Sequence, residues 1–78
     1  MDYLNFILSR LSKPTLKKFF AHYSVFLTDE ENTRLYNQIK RYQQVLNTEN
    51  YRIYLYDANL AIDKFKKDQI DQVLRRFI

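Results

Sequence analysis

The chain has 78 residues, a formal net charge of +4, no cysteine and no glycine. That is one small domain, with no disulfide framework, no thiolate metal site, and none of the glycine loops on which Rossmann and P-loop chemistry depend. Apolar residues make up 46% and aromatic residues 17%, enough for a packed core and too many for a disordered chain.

Charge is uneven along the chain. Residues 1–27 carry four cations and one anion, 28–50 three and four, and 51–78 six and four. No apolar run approaches the roughly 18–20 residues that span a bilayer. The opening MDYLNFILSR places an acid before its apolar run and an Arg after it, the reverse of a signal peptide. A cytoplasmic protein without membrane contact is expected.

The first helix is predicted over residues 2–11, capped by Asp2, with Leu4, Ile7, Leu8 and Leu11 on one stripe that Tyr3 and Phe6 widen. Ser12 can cap a second helix from Lys13 to about Tyr23, with Pro14 in its first turn. Leu16, Phe19, Phe20 and Tyr23 have the spacing of its buried face. Residues 24–27 then plug the gap to the central helix.

That helix is predicted over residues 28–46. Thr28 and Glu31 form a capping box, Asp29, Glu30 and Glu31 favour the positive end of the helix dipole, and Lys40 and Arg41 lie toward the other end. Leu35, Ile39, Tyr42 and Leu46 recur at steps of four, three and four.

Residues 47–50 read as a loop. In the following YRIYLY, Tyr51, Ile53 and Leu55 alternate with Arg52, Tyr54 and Tyr56, a strand-like pattern without a second strand to pair with. The stretch fits an extended connection, the start of the last helix, or an edge pairing across a homodimer; the extended connection is favoured. Asp57 is read as the cap of a helix through Ala58, Ala61, Ile62 and Phe65. The step of five from Phe65 to Ile70 leaves either one long kinked helix or two short ones, the second restarting near Asp68. The fold expected is all-α: a small bundle of four or five short helices in one domain, with one extended connection.

The run LSKPTLKKFFAHYSVFLTDEENTRLYNQI resembles the opening of a family of short helical proteins of unknown function from Gram-positive bacteria. Leu16, Tyr23, Leu27, Thr28 and Glu30 carry the likeness. NYRIYLY and VLRRF are similar in flavour to later parts of that family. The resemblance implies an all-helical intracellular protein and supplies no catalytic residue.

Chemistry-bearing residues are scarce. His22 is the single histidine, and with no Cys a catalytic triad or a His-rich metal site is poorly supplied. It reads as a boundary histidine with its ring partly packed. The run of three acids at residues 29–31 is explained by capping, so no catalytic residue, metal or cofactor is expected.

Two binding readings remain. Tyr51, Tyr54 and Tyr56 cluster within six residues as a candidate partner-binding group, since Tyr is enriched at protein–protein hot spots. Lys13, Lys17 and Lys18, then Lys40 and Arg41, then Lys64, Lys66 and Lys67 form three basic groups that would make a nucleic-acid surface if they converged. A non-enzymatic protein-interaction module, a regulatory adaptor or inhibitor of a larger protein, is preferred. A nucleic-acid-binding regulator is the alternative.

Overall fold

Each of the first three helices is started by a side chain that accepts from a backbone amide three residues on. In the computed structural model, which describes residues 2–78, Asp2 accepts from the Asn5 amide and opens α1, Tyr3–Arg10. Ser12 exchanges bonds with Thr15 at the start of α2, Lys13–His22. Thr28 and Glu31 close the expected capping box on α3, Asp29–Tyr42, at 3.1 and 2.9 Å.

The end of α2 is built without glycine. Ser24 takes a positive φ of 64°, and the amides of Ser24 and Val25 reach back to the carbonyls of Ala21 and Phe20. This is a Schellman motif with serine in the left-handed position. It turns Val25 inward beside Phe20, both buried, while Leu27 fills the α2–α3 gap and Phe26 stays 68% exposed. Asn32, buried on α3, donates to the Lys13 carbonyl of α2 at 2.9 Å.

The helix α3 ends at Tyr42, four residues before the expected Leu46. The cap and the turn beyond it are held from outside: Asn5 of α1 donates through Nδ2 to Gln43 O and Leu46 O. Leu46 is still buried, delivered by a turn instead of a helical step. The contact is reciprocated, because Lys40 of α3 donates to Ser9 O in the last turn of α1 at 2.9 Å. Asp2 also accepts from the Thr48 amide through its second oxygen, so one carboxylate serves a cap and a loop.

The expected extended connection at residues 51–56 is a helix: α4, Tyr51–Leu55. Asn47 and Asn50 fold residues 47–50 into a side-chain-braced turn, Asn47 Oδ1 accepting from Glu49 and Asn50 and Asn50 Oδ1 from Asn47. From that turn the Tyr51 amide bonds Asn47 O at 2.9 Å and the helix follows. The face is helical, Tyr51 and Leu55 buried four apart and Ile53 69% exposed between them.

Asp57 does not cap a helix. It braces a turn by accepting from Asn59, and residues 57–63 run without helix while burying Leu60 and Ile62. The cap is Asp63, which accepts from Lys66 at 2.9 Å and starts α5, Lys64–Leu74. Ala58, Ala61 and Ile62 therefore lie outside any helix, and Lys64–Leu74 is one helix, unbroken at Asp68, that tightens into a 3₁₀ turn over Arg75–Phe77.

Among the described residues there are five α-helices, this 3₁₀ turn and no strand. They close on a single core whose innermost side chains are Phe20, Leu4, Leu16 and Ile70, from α1, α2 and α5. The Cα radius of gyration, 11.2 Å, is what one compact unit of this length should have. Among the described residues, no helix is long and apolar enough to cross a membrane.

Candidate interaction surface

The three tyrosines singled out from the sequence are distributed by α4 onto different neighbours. Tyr51 is 4% exposed and donates to Asp71 Oδ1 at 2.5 Å, while Arg75 and Arg52 reach Asp71 Oδ2 at 3.2 and 3.5 Å. Burial, then the Asp71 carboxylate, pushes the Tyr51 phenol up to about 12. Tyr56, half-buried, donates to Asp68 at 2.6 Å and is likewise pushed up to about 12, by burial and then by Asp68. The Tyr56 hydroxyl, and after it Lys64, hold Asp68 below the usual carboxylate range. Tyr54 stacks on Tyr42 with centroids 4.4 Å apart. These rings chiefly tie α4 to α3 and α5.

The basic groups converge in part. Lys13 of α2 and Lys40 of α3 approach the Tyr36 ring, at 5.8 and 5.5 Å from its centroid. Lys17 pairs with Asp29, whose carboxyl is held down by that ammonium. Lys18 and Arg41 are exposed. The third group is spread out: the exposed Lys64 pairs with Asp68 at 3.2 Å on the surface of α5, Lys66 donates to Phe26 O, and the buried Lys67 donates to Asp57 O.

His22 is exposed and lies edge-on to Tyr23 at 4.9 Å. Of the acids at residues 29–31, Asp29 is held by Lys17, Glu30 by Arg34 at 3.7 Å, and Glu31 by its own capping box.

A different cluster joins the two ends of the chain. Phe77, in the closing 3₁₀ turn, packs against Phe19 at 5.5 Å, Tyr23 at 6.0 Å and Tyr3 at 6.5 Å. Phe19 meets Tyr23 edge-on at 5.5 Å, and the Arg76 guanidinium lies 5.3 Å from the Tyr23 centroid. Tyr3 is 60% exposed and the other three rings are half-buried, so an aromatic face opens to solvent between α1, α2 and the C-terminal turn. In the sequence, Phe19 and Tyr23 read as core and Tyr3 as a widening of the α1 stripe. The one local sign was that Tyr3 falls outside the Leu4–Leu8 row.

Compared with known proteins, the chain matches no family model, no curated protein and no solved structure.

Proposed function

We propose that the chain is a non-enzymatic protein-interaction module, a small regulatory adaptor or inhibitor that binds a larger protein in the cytoplasm of a bacterium, encoded by the host or by a phage. The observation that carries this reading is the amount of large apolar side chain left outside a well-packed core: Tyr3, Phe26, Ile53 and Phe65 are all more than half exposed. A contiguous exposed patch marks a docking surface, and Tyr3 belongs to one, packing on Phe77 beside Phe19 and Tyr23. The resemblance to short helical proteins of Gram-positive bacteria is compatible with such a role and adds no catalytic residue to it. The test is affinity capture from a bacterial lysate with and without nuclease. A discrete protein retained after nuclease supports the module; recovery of the chain alone overturns it.

The second reading, a nucleic-acid-binding regulator, is favoured by Lys13 and Lys40 drawn to the Tyr36 ring from two helices. It requires capture of nucleic acid that weakens steeply with salt and is lost on charge reversal of Lys13 and Lys40.

A further inference from the structure

The helices that build the aromatic face come from acid-free sequence. Residues 3–28 contain Arg10, Lys13, Lys17 and Lys18 and no Asp or Glu, and residues 72–78 contain Arg75 and Arg76 and no acid. Every ring of the face, Tyr3, Phe19, Tyr23 and Phe77, lies in one of these two segments. The intervening residues 29–71 hold eight of the nine carboxylates. The ninth, Asp2, adjoins Tyr3 and is taken up by the Asn5 and Thr48 amides, so the positive excess resides in the two segments that carry the rings.

Several of these cations remain available. Lys17 is taken by Asp29 and Arg75 by Asp71, but among the described residues Arg10, Lys18 and Arg76 have no carboxylate within ion-pair distance. Arg76 covers Tyr23 directly. On α2, His22 and then Lys18 follow Tyr23 and Phe19 around the helix toward solvent, by their spacing. Arg10 lies on the Tyr3 stripe of α1, two turns away, its guanidinium over Phe6 at 4.2 Å.

Resting on the protein-interaction reading, we propose that this face docks an acidic peptide segment that carries apolar anchors. The anchors seat against Tyr3 and Phe77, and the partner's carboxylates face Lys18, Arg76 and Arg10. Charge complementarity of this sort steers encounter and fixes register. A single-stranded nucleic acid needs successive open ring faces, whereas Phe77, Phe19 and Tyr23 pack against one another and only Tyr3 is mostly exposed. An anionic lipid surface needs a helix whose apolar side is turned outward, and here Leu4, Leu8, Leu16 and Phe20 turn the apolar sides of α1 and α2 inward.

The experiment uses a fluorescein-labelled peptide of about 16 residues with Leu at helical spacing and Glu elsewhere, its Gln-substituted counterpart, single-stranded oligothymidylate and phosphatidylserine vesicles. Binding to the full chain is read by anisotropy or co-sedimentation and mapped by amide chemical shifts. The Glu peptide should bind, with shifts centred on Tyr3, Phe19, Tyr23 and Phe77. The Gln peptide, and the double variant Lys18→Glu with Arg76→Glu, should each lose about tenfold or more in affinity. Tyr3→Ala should weaken binding and Asn37→Ala, at an exposed position on α3, should leave it unchanged; circular dichroism and melting confirm that these surface variants fold. No binding, equal binding of the Gln peptide, a shift map elsewhere, or tighter binding of oligothymidylate or vesicles overturns the proposal. A protein captured from lysate equally by wild type and by the Lys18→Glu, Arg76→Glu variant would overturn the acidic-segment proposal alone. The interaction reading fails separately, when wild type captures no protein.

Discussion

At the scale of single residues, two side chains hold positions that their chemistry makes measurable. Ser24 sits in the left-handed region, where a Cβ is unfavourable and glycine is the usual occupant. Ser24→Gly should raise stability by about 0.5–1 kcal/mol, the relief of strain exceeding the added freedom of the unfolded chain; urea denaturation measures it. Tyr51→Phe should cost about 1–2 kcal/mol at neutral pH, because Asp71 loses a hydroxyl donor but keeps two arginines. The same substitution should change the alkaline limb. An unfolded phenol loses its proton near pH 10 and the native one near 12, so unfolding releases a proton between those values. The Tyr51 contribution is complete below pH 10 and fades as pH rises to about 12, a loss of about 2–3 kcal/mol that Tyr51→Phe should lack.

At the scale of elements, the starts of helices belong to neighbouring residues, whereas the turn that ends α3 is held by a distant one. Asn5 holds the turn after α3 from 38 and 41 residues away, so Asn5→Ala should leave the Gln43 and Leu46 carbonyls short of a donor. A cost of about 1–3 kcal/mol is expected, with faster hydrogen exchange at the Val45 and Leu46 amides, both bonded to Tyr42 O. This division decides what could be read from sequence. The caps at Asp2, Ser12 and Thr28 act over three residues and are visible as spacing. The early end of α3 depends on a side chain of α1 and is not. For residues 51–56 the alternation of apolar residues pointed to extended backbone, but the turn braced by Asn47 and Asn50 launches a helix and Ile53 faces outward. Asp57 and Asp63 are equally good caps by identity. Burial of Leu60 and Ile62, which needs a non-helical run between them and α5, favours Asp63.

At the scale of the whole molecule, a small bundle spends most of its aromatic side chains on joining helices and leaves one face of them open. That face was the least legible feature, since it unites residues 3, 19, 23 and 77 from three separate elements. The tyrosines clustered in sequence were easier to see, yet helical geometry turned Tyr51 into the core and bound Tyr56 to Asp68. The acidic-segment proposal also implies that the protein is an electric dipole with its positive pole at this aromatic face. On a negatively charged chromatography matrix it should adsorb in one orientation, by the α1–α2 side, and elute at higher ionic strength than a net charge of +4 spread evenly would allow. Reversing Lys18 and Arg76 should lower that ionic strength far more than reversing Arg34 and Arg41, although both changes remove the same formal charge.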